Sequence, residues 1–331
     1  MSRPYFTVAI NCYNYGRFVG QEIDSVLAQD FPASEVELIA VDDGSTDDSR
    51  EVIGRYKDKV RLIAQKNQGQ AAAVSAGLSA GAGQVRCPLD ADDIWLPAKL
   101  SALAEAFKDP TVALVQHFQR EVDVGGRELP HALPDWPPYY TIESVLSGRV
   151  DYGAMSSIAL RAEVLEKILP IPSDLFVFSD TYLVDFGLLH GRMANLARVL
   201  GQHRLHGKNN WAKTYESPEK LRGTLREAAR YREYLEPRLN ERGLPWGPRH
   251  FALLPAELVR RELLLAVHEG RRLDALALLP KMWRAAGGGR FAFFRCATCL
   301  IAVVSPTLYL SLLSAYETGG WPARVREKVA P

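Results

Sequence analysis

Three aspartates, Asp90, Asp92 and Asp93, fall within four positions of the segment PLDADDIWLP, at the end of an apolar run. Like charges that close repel, and a plain turn needs only one of them, so the spacing suits a positive partner. Clustered carboxylates on a short segment suit a hard divalent cation, Mn2+ or Mg2+. Such an ion takes one or two protein oxygens and completes its shell with phosphates and water. The competing reading is an aspartate-rich turn that caps a helix opening at Pro97. A second acidic pair, Asp42 and Asp43 in IAVDDGSTD, and the residues Asn11, Tyr13 and Asn14 in INCYNYGRF add weight to the first. An aromatic ring for stacking, a carboxylate to accept a base N–H and a metal for a diphosphate together describe a nucleotide-diphosphate site.

These groups need elements that bring them to one edge. The segments at 5–11, 36–42, 60–65 and 84–90 read as short apolar strands, with helical periodicity between them. Alternating strands and helices predict an α/β fold, a doubly wound and mostly parallel sheet flanked by helices. All three acidic or amide-bearing segments then sit at the carboxyl ends of strands, where ligands bind in such sheets. Alternation along a strand puts Asp90 and Asp92 on one face, with Asp93 starting the turn. Ser45 or Thr46 is the expected N-cap of the helix in GSTDDSREVIGRY, and Pro97 the first residue of the next.

Past residue 110 the pattern loosens. TVALVQHF and SSIALRA read as strands, RAEVLEKIL and DTYLVDFGLLHG as helices, and the proline-rich LPHALPDWPPYY as a loop, either lid or connector. Beyond Trp211 the chain is charged and helical, which predicts a C-terminal helical extension. The expected division is 1–105 and 106–215 for the two halves of the α/β domain and 216–331 for the extension. With 40 basic and 39 acidic residues the net charge is +1, so the whole chain lacks the positive excess of a nucleic-acid binder. Four scattered cysteines suit a reducing compartment, and the Cys296/Cys299 pair reads as packing. No signal peptide is evident at the start, so the expected location is the cytoplasm.

The order VAINCYN, VDDGSTDDS, NQGQAAAVSAGL, LDADDIWLPAKL, SDTYLVDFGLLHG and RLHGKNNW resembles the inverting family 2 glycosyltransferases of the GT-A fold, over about residues 4–215. The resemblance implies a nucleoside-diphosphate-sugar donor, by default a UDP-sugar, and a glycan or lipid-linked acceptor. It implies Asp43 on the base, Asp92 near the ribose and the metal, and Asp93 on the metal. Asp180 matches the general base. Arg204 and His206 match a segment that closes over the diphosphate, with His206 a further metal ligand. Two departures are visible: Ser75 stands where the family often has asparagine or arginine, and Ser179 precedes the base where glutamate is common.

The chemistry is coherent from the residues upward. A leaving nucleotide gathers charge on its phosphate, which a cation can stabilise, so a single carboxylate base suffices to activate the acceptor hydroxyl. Asp180 can also be read as a helix-opening acid favoured by the dipole, and Arg204, His206 and Lys208 as a solvated basic loop. A sugar nucleotidyltransferase would need a Gly-rich loop after the first strand, which NCYNYGRF lacks. A dehydrogenase fails because Gly81 and Gly83 precede a strand. An inactive, glycan-binding or scaffolding relative is opposed by the intact Asp92, Asp93 and Asp180. From Lys281 onward seven basic residues face two acidic ones, and residues 296–316 carry no charge. Peripheral contact of 281–331 with the cytoplasmic face of a membrane, burial in a core or homo-oligomer contact, and a membrane span are the three readings of that tail.

Overall fold

The computed structural model describes residues 4–130, 133–148, 150–206, 217–244, 246 and 255–317. In chain order the first elements are β1 (Phe6–Cys12), α1 (Gly16–Leu27), β2 (Val36–Asp42), α2 (Ser49–Gly54), β3 (Arg61–Ala64), α3 (Gln70–Ala80), β4 (Val85–Asp90), β5 (Ile94–Trp95) and α4 (Lys99–Ala106). There follow β6 (Val112–Val122), β7 (Tyr139–Tyr140), α5 (Ile142–Leu146), β8 (Ile158–Arg161), α6 (Ala162–Ile168), α7 (Ser179–Leu188) and β9 (Arg192–Arg204). The last helices are α8 (Pro218–Asn240), α9 (Pro255–His268), α10 (Arg272–Ala277), α11 (Leu279–Ala285), α12 (Gly289–Val304) and α13 (Pro306–Glu317).

The nine described strands form one sheet in the order β3-β2-β1-β4-β8-β6-β9-β5, with β7 paired to β9. The first four are parallel, as the alternating pattern predicts, and the near-continuous apolar sequences of β1, β2 and β4 reflect burial on both faces, whereas the edge strand β3 is partly exposed. Beyond β4 the sheet is mixed: β8 runs antiparallel to both β4 and β6, while β6 and β9 pair in parallel. The irregular pattern past residue 110 has its source here, in short strands and a β6–β9 ladder broken by register shifts. Close approach of α3 to the sheet depends on Gly77, where a Cβ would stand 2.9 Å from the Ala9 Cβ and 3.1 Å from the Val41 Cγ2.

Two compact units result, 1–145 with 149–205, and 146–148 with 206–331. The expected boundary at 105/106 falls within the last turn of α4, inside the first unit. The second unit has its own core, in which Val259, Leu263, Val267, Met282, Cys299 and Val303 pack together. All four cysteines are free, and burial pushes the Cys299 thiol up to about 11, so it behaves as a packing residue.

Candidate functional site

The carboxyl ends of β1, β2 and β4 bring the expected segments together. Parallel registry sets Asn11 beside Asp90 and Cys12 beside Asp42. Asn11 donates its Nδ2–H to Asp90 Oδ1 at 2.8 Å, and Gln70, at the start of α3, donates to the same oxygen at 3.0 Å. The backbone N–H of Asp90 donates to the Ser156 hydroxyl at 3.0 Å. Asp90 is thus held from three sides. Burial, and then the neighbouring Asp92 and Asp93, pushes its carboxyl up to about 7, with a smaller push from Asp180.

Asp93 is buried, and its N–H closes a turn on Asp90 O at 3.2 Å. Its Oδ1 accepts the Arg204 N–H at 3.0 Å, while Oδ2 is buried without a hydrogen-bond partner. Burial raises this carboxyl too, opposed by His203 and the nearby Ser156 hydroxyl. Burial acting alone would lower the His203 pKa, but Asp93, Asp92 and Asp90 outweigh it and the imidazole is raised. The site is therefore acid-rich and short of positive charge. Hard oxygen donors with one orphaned buried oxygen fit a divalent cation. No three His, Cys, Asp or Glu side chains among the described residues form a closed cage, so such an ion would draw most of its shell from phosphate and water.

Arg204 departs from the expectation of a charge open to a diphosphate. Its guanidinium is turned inward, donating to Asp92 O at 2.9 Å, Val124 O at 3.1 Å and Gln21 Oε1 at 3.2 Å, and it lies over the Phe18 ring. With its backbone bond to Asp93, it clamps the acidic turn onto β9 and α1. His206 follows β9 as the opening residue of the second unit's longer segment. Lys208, Asn209 and Trp211 lie outside the described residues.

Asp43 and Asn14 build the walls. Asp43 is buried and accepts from Gln65 Nε2 at 2.8 Å and from the N–H groups of Gln68 and Gly69, both at 2.9 Å, so it shapes the loop before α3. Asn14 adopts φ +59°, and its Oδ1 accepts from Thr46 N and Asp47 N. Ser45 Oγ accepts the Asn14 N–H in turn. These cross-loop bonds occupy the two residues expected to cap the next helix, and α2 starts later, at Ser49, with Asp48 as N-cap. The helix expected from Pro97 likewise starts at Lys99. Tyr13, 45% exposed, presents its ring to solvent, and Phe176, similarly exposed, lies beside Gly69.

Asp180 sits in the first turn of α7 with Oδ1 accepting the Thr181 N–H at 2.7 Å. Burial raises its pKa against the pull of Thr181, which makes it a stronger base than a free aspartate. Neighbouring acids are engaged elsewhere: the Asp185 carboxylate accepts from the Tyr152 hydroxyl, and Asp151 accepts from Trp136 Nε1 at 3.2 Å. The end of the proline-rich loop is tied to β9. Asn195 donates its side-chain N–H to Pro137 O and its backbone N–H to Pro138 O. Ser75 is buried inside the fold, donating to Ala71 O and accepting the Ile171 N–H, so it takes no part in this edge.

Several contributors escape the sequence reading. Lys99 is fully buried, donates to Ser156 O at 2.6 Å and places Nζ 3.6 Å from the Trp95 ring centroid. Burial pushes its ammonium down to about 7, against the pull of Cys87, Asp93 and Glu22. Glu22 is buried with both carboxyl oxygens unpartnered, and burial, then Asp92, holds its pKa well above the usual range. A glutamate within a helix is an ordinary choice in sequence, so nothing there marked Glu22.

A family model described as glycosyl transferase family 2 matches residues 7–169, the span that holds Asn11, Asp43 and the acidic turn. The chain belongs to glycosyltransferase family 2. It is 37% identical over 215 residues to an uncharacterized glycosyltransferase of a Nostoc species, covering 62% of this chain and 66% of that one. A chondroitin synthase of Pasteurella multocida is 31% identical over 41% of the chain and 14% of its own length. The chain thus spans less than two thirds of these relatives. Among solved structures, a mannosyltransferase from Pyrobaculum calidifontis superposes with TM-score 0.56 at 19% identity, over 98% of this chain and 87% of that one. Staphylococcus aureus TarS 1-349 gives TM-score 0.53 at 18% identity, over 95% and 91%. Both share the fold, and the architecture is that of a GT-A enzyme with C-terminal helices.

Proposed function

We propose that the chain transfers a sugar from a nucleoside-diphosphate sugar to a hydroxyl of a glycan or lipid-linked acceptor, with inversion at the anomeric carbon and dependence on Mn2+ or Mg2+. The observation that carries this reading is the convergence of Asn11, Asp43 and the Asp90–Asp92–Asp93 turn at the carboxyl ends of β1, β2 and β4, with the Asp180 charge adding to the raised Asp90 pKa. A cation held by Asp92 and Asp93 would supply the positive charge a departing diphosphate requires. The chain's own residues do the rest. Asn11, Gln70 and Ser156 fix the acidic turn, and Arg204 clamps it. Tyr13, exposed after β1, offers a ring for the base. Asp180 accepts the acceptor's hydroxyl proton as its oxygen attacks from the opposite face. A base of raised pKa, partly exposed and next to the donor edge, suits single displacement, since no second carboxylate nucleophile is needed.

Support for the donor class comes from the structural neighbours, TarS solved in complex with UDP and the mannosyltransferase in complex with GDP-Man and Mn2+. UDP is the nucleotide we favour. The synthase relatives favour a setting in cell-surface polysaccharide formation. The test is to incubate the protein with UDP-, GDP- and dTDP-sugars and Mn2+, and to follow nucleoside-diphosphate release with and without saccharide acceptors. Release by the wild type that falls about 100-fold or more in Asp180→Asn is the expected result. Equal release by both proteins would remove Asp180 from the role, and no release from any donor would count against the activity itself.

A further inference from the structure

Helix α12 is apolar on both sides, and only one side is covered. Its inner residues Cys299, Ala302 and Val303 are buried in the cores of the second unit, and Ala292 is buried too. On the other side Phe293, Leu300 and Val304, at helical spacings of seven and four, form one stripe that is 61%, 45% and 70% exposed. Leu308 of α13 and Trp283 of α11 are exposed too. An apolar patch left bare in this way marks a docking surface.

Charge selects the occupant. Between Asp274 and Glu317 the sequence has no acidic residue but holds Lys281, Arg284, Arg290 and Arg295. Lys281 pairs with Glu262 at 2.7 Å and Arg295 with Glu257, so these two serve the unit's own packing. Arg284, next to Trp283, is exposed, and Arg290 opens α12 in the sequence. Aromatic and aliphatic side chains with the exposed Arg284 beside them, on a stretch of sequence without acids of its own, complement an anionic lipid surface.

Length fixes the geometry. α12 has 16 residues and α13 has 12, separated at Ser305. At about 1.5 Å per residue they reach about 24 and 18 Å, short of a hydrocarbon core of about 30 Å. No described helix is long and apolar enough to cross a membrane. We propose that the exposed face of α12, with Trp283 and Leu308, docks in the plane of an anionic lipid surface, independently of which donor and acceptor the enzyme uses.

The experiment is co-sedimentation of the full chain with phosphatidylcholine vesicles, with and without phosphatidylglycerol. Phe293→Ser and Val304→Ser replace exposed residues, so both variants should keep the wild-type unfolding temperature. The expected result is binding to the phosphatidylglycerol vesicles that weakens with added salt, and a partition coefficient about tenfold lower in each variant. A wild-type protein that stays in the supernatant overturns the proposal, as does equal binding by wild type and both variants. A wild-type dimer that either substitution dissociates, with no vesicle binding, assigns the face to a second copy instead.

Discussion

Replacing Lys99 by methionine tests whether the acidic turn rests on a buried group that changes charge near neutrality. Lys99 is fully buried, and burial pushes its ammonium from 10.5 down to about 7. A folded-state pKa below the unfolded one means that the unfolded chain binds more protons between those values, so wild-type stability rises with pH across that window. Each pH unit is worth about 1.36 kcal/mol, and the two units from pH 7 to 9 give the wild type a gain of about 3 kcal/mol that the methionine variant lacks. Below pH 7 both folded and unfolded wild-type chains are protonated, and the difference between the two proteins is constant. Urea unfolding of both proteins at pH 6, 7.5 and 9 reads this directly, because groups such as His203 and Asp90 titrate in both and largely cancel. With a urea slope of about 2–3 kcal/mol/M, the midpoint gap should move by about 1 M in favour of the wild type between pH 7 and 9. A gap that stays flat over the whole range would refute the reasoning and show a Lys99 that keeps its charge in the folded chain.

Three further outcomes follow from the site. Arg204→Met should lower stability by about 2–4 kcal/mol, measured by urea unfolding, because it strands Asp92 O, Val124 O and Gln21 Oε1; unchanged stability with weakened diphosphate binding would return the guanidinium to the ligand. Asp93→Asn keeps an acceptor for the Arg204 N–H, so the fold should persist while Mn2+-dependent nucleotide affinity falls at least about tenfold by calorimetry. Asp180→Asn should leave donor affinity within a few-fold of wild type while turnover collapses, a split between binding and chemistry that separate titration and rate measurements reveal.

The parallel half of the sheet was legible because strands buried on both faces must be apolar, and 5–11, 36–42 and 84–90 are. So was the acidic edge, since three aspartates in four positions have few uses in a turn. Arg204 was harder. Its motif position spoke for a ligand, and only the fold shows that the guanidinium reaches Asp92 O, 112 residues away in the chain, together with Gln21. Lys99 and Glu22 carried no signal of their own, because a lysine after an N1-type proline and a glutamate in a helix are ordinary surface choices. Their burial arises from the convergence of α1, β5 and α4 beneath the turn. The mixed strands past β4 left little periodicity to read, since β8 has only four residues and β6 shifts register against β9. The tail's charge count was visible in sequence, but the pairing of Lys281 and Arg295 with acids of α9 was not.

The most direct test of the central claim, that the acidic edge holds a metal–nucleotide diphosphate, is calorimetric titration of UDP and GDP into wild type and Asp92→Asn, each with Mn2+ and with EDTA. The account predicts binding of at least one nucleotide to the wild type that depends on Mn2+, and loss of that dependence in Asp92→Asn. Equal affinity in Mn2+ and EDTA, or an Asp92→Asn variant that binds as the wild type does, would contradict it.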